Sequence, residues 1–178
     1  SADGKLVYVT SEVTNTVHAV DVDTGKVAHN VKVGKRPRRF ALSPDGAQLW
    51  VSNELDASVS IIDTKTHTVA ATLAFAVKGA RKADITPVGL VFSRDGKRAF
   101  VALGRANHVA FVDVGARKVT DLVLVGKRAW SVALDKAERM LVVVNGLSDD
   151  VTLVDGAAAR ALKSIAVGRV PHTAVIVE

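Results

Sequence analysis

Short runs of Val, Ile, Leu and Ala alternate with polar turns along the whole chain, and the same run-and-turn text keeps returning. The clearest copy is Ser43 to Asp63, SPDGAQLWVSNELDASVSIID. A Pro-Asp-Gly turn leads into one strand over 47–52, a polar loop covers 53–57, and a second apolar run ends at Asp63. The text recurs as SADGKLVYVTSEVTNTVHAVD from Ser1, SRDGKRAFVALGRANHVAFVD from Ser93 and DKAERMLVVVNGLSDDVTLVD from Asp135. The closing aspartates Asp21, Asp63, Asp113 and Asp155 are spaced by 42, 50 and 42 residues. Each Asp is followed by a turn and a third strand, as at 27–33, 118–125 and 161–167. Gly34, Gly126 and Gly168 end those strands, and a basic loop leads to Pro37, Pro87 or Pro171 and then to a fourth strand. Proline suits a strand's first residue, where it owes no ladder hydrogen bond.

Four antiparallel strands per unit of 42 residues, with no sustained helical period, predict an all-β fold, a β-propeller of four four-stranded blades. The whole chain, 1–178, then forms one propeller domain or half-propeller, with repeats at about 1–42, 43–92, 93–134 and 135–178. With the innermost strand of each blade called A, the chain starts on B and ends on A. Residues 170–177 are therefore expected to complete the first blade, which would hide open strand edges. Apolar residues on both faces of the third strand, Ile61 with Ile62 and Phe111 with Val112, fit a strand packed by blades on either side. From Asp63 to Pro87 is 24 residues, against 16 from Asp21 to Pro37 and from Asp155 to Pro171. The extra eight residues, around AFAVKGARKADI, read equally as a binding loop or a drifted surface loop.

Composition adds boundaries. At 48% hydrophobic residues the chain can bury a core, and no apolar run approaches a membrane span. Its first residues lack a signal-peptide pattern. Without cysteine it has no disulfides or thiolate metal sites. The formal net charge of +6 suits an acidic partner or ligand where the cations cluster.

The YVT at Tyr8 to Thr10, VSNELDASVSIID at Val51 to Asp63 and VGKRP at Val33 to Pro37 resemble the YVTN-type β-propeller repeat. SPDGAQLWVSNE, ITPVGLVFSRDGKRAFVALGRANHVAFVD and VNGLSDDVTLVD with SIAVGRVPH are more closely similar to propellers associated with catabolism by pyrroloquinoline quinone (PQQ) dependent dehydrogenases. That resemblance implies a periplasmic or extracellular protein working beside a quinoprotein dehydrogenase system. Such proteins are longer, with about seven blades, and this chain resembles their C-terminal four. Blades shaped for seven-fold closure turn by about 50° each, so four would form an open half-ring. A homodimer could close two half-rings into an eight-bladed toroid, each C-terminal strand completing its partner's first blade.

Candidate chemistry gathers on the face shared by the D-to-A and B-to-C loops. Arg38, Arg39, Lys127, Arg128 and Arg169 come from D-to-A loops or the strands they enter, and Arg105 comes from a B-to-C loop. Arg38, Val88, Trp130 and His172 all follow the proline position and should face one another at the channel mouth. A cation, an aromatic and a histidine can hold a carboxylate or a planar ligand, or they can plug the channel. The basic residues can equally keep a turn soluble, with Glu12, Glu54, Asp149 and Asp150 near enough to neutralise them.

Of the five histidines, none is paired at metal-ligand spacing; His29 and His67 read as exposed, His18 as interblade packing. The four repeated aspartates read as turn devices. No catalytic residue, cofactor or metal site is expected, and eight aromatics without a basic-aromatic motif argue against nucleic acid. The expected function is a non-catalytic scaffold that binds a protein or small anionic ligand. The alternatives are a propeller enzyme of the lactonase or haem-reductase type and a surface-layer or adhesion module.

Overall fold

The computed structural model describes residues 1–177 as antiparallel strands and turns with one short 3-10 helix, Lys82–Asp84. Blade one holds β1 (Leu6–Ser11), β2 (Thr16–Asp21) and β3 (Val27–Lys32). Blade two holds β4 (Pro37–Leu42), β5 (Gln48–Asn53), β6 (Ser58–Asp63) and β7 (Thr68–Ala74). Blade three holds β8 (Leu90–Phe92), β9 (Arg98–Ala102), β10 (His108–Asp113) and β11 (Lys118–Leu124). Blade four holds β12 (Ala129–Leu134), β13 (Met140–Asn145), β14 (Asp150–Asp155) and β15 (Arg160–Ala166). Blades two to four are four-stranded meanders and blade one has three strands.

The two-residue side-chain period of a strand makes each central blade two-sided, and the core is therefore three layers between blades. Val17 and Val31 meet Leu49, Val51 and Ile62 between blades one and two. Trp50, Val59 and Ile61 meet Ala99, Val101 and Val112 between blades two and three. Phe100, Val109 and Phe111 meet Leu141, Val143 and Val154 between blades three and four. The apolar doublets of the third strand thus face two neighbours, as their sequence demands.

The repeated aspartates are turn devices. Asp21 accepts the Thr24 amide, Asp63 the Lys65 and Thr66 amides, Asp113 that of Ala116, and Asp155 those of Ala157 and Ala158. The Thr24 hydroxyl and then its amide hold the Asp21 carboxyl below the usual carboxylate range, and the amide bonds do the same for Asp63 and Asp155.

Three features depart from expectation. Residues 171–177 form no strand, so blade one lacks its innermost strand within this chain. The insertion is not a loose surface loop: Phe75, Val77 and Ile85 are buried in the layer between blades two and three. His29 is exposed, but its ring stacks on that of half-buried His67, with centroids 3.7 Å apart and planes at 17°. Burial, and then the neighbouring His29, hold His67 below its ordinary 6.5, while Asp63 works weakly the other way. The unfolded chain therefore binds the proton more readily, and this contribution to stability, full above pH 6.5, is lost as pH falls through the lowered value. His67→Phe is expected to flatten that acid-side slope in urea midpoints measured at stepped pH.

Candidate functional site

The strands after the proline positions bring their first residues to one mouth, because innermost strands lie side by side around the channel. Trp130, second residue of β12, is buried there. The Arg38 guanidinium, from β4, lies 5.0 Å from the Trp130 ring centre, and that of Arg128 lies 4.7 Å from it. Both distances lie within cation–π range. The Trp130 indole N–H donates to His172 Nε2 at 2.8 Å, which fixes that nitrogen as an acceptor. Arg39 Nη2 stands 3.3 Å from His172 Nδ1. Beside them a cavity of about 130 Å³ is lined by Arg128, Trp130, Gly146, Val170, Pro171 and His172.

Two carboxylates close the other side. Glu12 pairs with Arg36 Nε at 3.0 Å and with Arg38, and Glu54 Oε2 lies 3.3 Å from the Nε of both arginines. The Arg36 hydrogen bond holds the Glu12 carboxyl below its usual range, with Arg38 acting the same way. Arg36 and Arg38 are thus neutralised. Among the described residues, Arg39 and Arg128 pair with no carboxylate.

Of the residues read from sequence, Arg38, Arg39, Arg128, Trp130 and His172 converge. Val88 does not join them: it is buried, 1% exposed. Lys127 and Arg169 project into solvent from the same loops. Arg105 belongs to a separate groove between the insertion and the β9–β10 loop, with Lys78, Arg81 and Asp84. There Arg81 and Asp84 pair at 2.7 Å. Glu12 and Glu54 hold equivalent places in blades one and two, and that repetition was the signal that both reach the mouth. Among the described residues, no group of three His, Asp or Glu side chains could hold a metal.

Blades of antiparallel strands packed face to face around an inner row of first strands define a β-propeller. The chain belongs to the lactonase family of seven-bladed β-propellers, whose family model matches residues 24–170. Among solved structures it is similar to Kuenenia stuttgartiensis hydrazine synthase, with a TM-score of 0.82 and 26% identity. That match covers 97% of this chain and 47% of the other, so the chain spans about half the length of the protein it resembles. No curated protein matches it in sequence.

Proposed function

We propose that this propeller is a non-catalytic scaffold whose channel mouth binds a carboxylate, on a small molecule or on an acidic side chain of a protein partner. The observation that carries this reading is the convergence of Arg39 and Arg128, neither opposed by a carboxylate, on the Trp130–His172 pair. Guanidinium groups bind carboxylates through aligned donors, and the indole holds the fork in place. His172 is poorly placed as a general base, since its Nε2 is occupied by the Trp130 N–H and its Nδ1 faces Arg39 and the Thr173 hydroxyl. By the likeness of its repeats to propellers that accompany quinoprotein dehydrogenases, we place the scaffold in the periplasm beside such a system.

The test is calorimetric titration with citrate and with inorganic phosphate. Arg39→Gln is expected to weaken citrate binding roughly tenfold, the scale of a lost charge-assisted hydrogen bond. Glu54→Gln, which removes one of the two carboxylates that neutralise Arg36 and Arg38, should strengthen it roughly threefold. Absence of citrate binding by the unaltered chain would overturn the reading. Family membership favours a second reading, hydrolysis of a lactone, whose ring opening produces a carboxylate that the same mouth could hold. Turnover of δ-valerolactone above a heat-denatured control separates the two.

A further inference from the structure

In blades two and four, the loop that enters the blade is sealed against the tip of that blade's own β5–β6 or β13–β14 loop. The amides of Glu54 and Leu55 donate to the carbonyls of Arg36 and Lys35 at 3.0 and 3.2 Å, and Asp56 accepts the Lys35 amide at 2.5 Å. The amides of Gly146 and Leu147 donate to the carbonyls of Arg128 and Lys127, both at 3.0 Å, and Ser148 accepts the Lys127 amide at 2.8 Å.

Blade three lacks that seal. Its tip is Gly104–Arg105–Ala106, in the places of Glu54–Leu55–Asp56. The Gly104 amide goes instead to the Ala129 carbonyl at 3.1 Å, and the Arg105 amide to the Thr86 hydroxyl at 2.9 Å. The loop entering this blade is the one with eight extra residues, and between its 77–84 segment and the tip lies a groove of about 500 Å³. Both walls are held in place. Phe75 and Val77 bury the insertion in the layer below, and buried Thr86 ties it to the tip. Gly104 sits so close that a Cβ there would fall 2.0 Å from Thr86 Oγ1. The tip is closed in turn by the Leu103 amide, which donates to the His108 carbonyl at 2.8 Å.

The groove carries an excess of positive charge. Lys78, Arg81 and Arg105 share it with one carboxylate, Asp84, and Arg81 takes both of that carboxylate's oxygens, at 2.7 and 3.1 Å. Arg105 acts on Asp84 only at longer range, and among the described residues neither Lys78 nor Arg105 pairs with a carboxylate. At the equivalent tips of blades two and four stand Leu55 and Leu147, so the cation is not a feature of the repeat. Two neutral groups complete the lining. His108 Nδ1 lies 2.6 Å from the Ala106 carbonyl, which can only accept, so Nδ1 carries the ring hydrogen. Its Nε2 is then an acceptor, with no partner among the described residues. Asn107 Oδ1 accepts the Arg128 amide at 2.8 Å, which fixes the side chain and leaves its NH2 group to donate.

We propose that this groove is a second ligand site, taking a small carboxylate that bears a hydroxyl beside the carboxylate. Arg105 and Lys78 hold the carboxylate, and the hydroxyl donates to His108 Nε2 while the Asn107 NH2 donates to the ligand's oxygens. A groove of this size suits a small molecule. Arg105 and His108 are three positions apart on one closed turn, so the two functions they read must lie close together on the ligand. A compact hydroxy acid meets both, whereas a plain dicarboxylate leaves Nε2 without a donor. None of these groups belongs to the channel mouth.

L-malate and succinate differ by that one hydroxyl. Each is titrated into the isotope-labelled protein while the amide signals of Asn107 report the groove and the Trp130 indole N–H reports the mouth, so the two sites can fail separately. Malate should shift the Asn107 signals saturably and bind about fivefold more tightly than succinate, the scale of one neutral hydrogen bond. Arg105→Gln, at an exposed position that leaves the fold intact, should weaken both acids roughly tenfold at Asn107. His108→Phe should bring malate down to the affinity of succinate and leave succinate unchanged. No saturable shift at Asn107, equal affinity for the two acids, an unaltered response in Arg105→Gln, or tighter binding of a hexaglutamate peptide than of malate would each overturn the proposal.

Discussion

Trp50→Ala is expected to cost about 4 kcal/mol of stability, the largest loss of any single truncation on this chain. Trp50 is fully buried in the layer between blades two and three, edge-on to Phe92 with ring centres 5.2 Å apart. Its indole N–H donates to Gln48 Oε1 at 2.9 Å. The equivalent positions in blades one and three hold Tyr8 and Phe100, which likewise enter the next interblade layer. Alanine would remove most of the packing volume from a layer that cannot collapse, because strands held by ladders on both sides cannot move in. Gln48 is half-exposed and can turn to water, so the loss comes from packing rather than from the hydrogen bond. With a urea slope of roughly 2 kcal/mol per molar, the midpoint should fall by about 2 M. Trp50→Phe should recover more than half of that. A fall under about 0.5 M would mean that the interblade layers do not carry the fold.

What could be read from sequence was what repeats. The strand pattern, the aspartate turns and the apolar doublets each return with the blade, and local chemistry alone sets them. The meeting of Arg38, Trp130 and His172 was legible for the same reason, since equal positions in a ring approach one axis. Pairing of 171–177 was not, because a strand's ladder needs an edge brought by another element. The insertion misled because its surroundings are basic and Gly-bearing, although the apolar text at Phe75 and Val77 was there to suggest burial. Arg105 was assigned to the mouth by its loop type, but the eight added residues build their own groove around it. The His29–His67 stack had no sequence signal: one ring comes from strand β3 of blade one and the other from the β6–β7 turn of blade two.

Asn53→Leu is expected to lower stability by about 3 kcal/mol and to weaken citrate binding as well. Asn53 ends β5 with no exposure, and its amide donates to Ser58 Oγ at 3.0 Å and Ser60 Oγ at 2.9 Å. Ser60 Oγ in turn accepts the Gly34 amide at 3.4 Å, and Gly34 lies so close that a Cβ there would fall 2.6 Å from Asn53 Cγ. This buried network therefore fixes the loop that carries Arg36, Arg38 and Arg39 to the mouth. Asn145 repeats the device in blade four, donating to Asp150 and Thr152, with the Gly126 amide on Thr152. Leucine would strand the two serine hydroxyls in an apolar layer, and its branched end would press on Gly34. The loop would shift before the sheet failed, because the β5–β6 ladder is untouched. Urea denaturation and citrate titration of the same variant read both links. Unaltered citrate affinity at the lowered stability would show that the loop holds its shape through its backbone bonds to Glu54 and Leu55 alone.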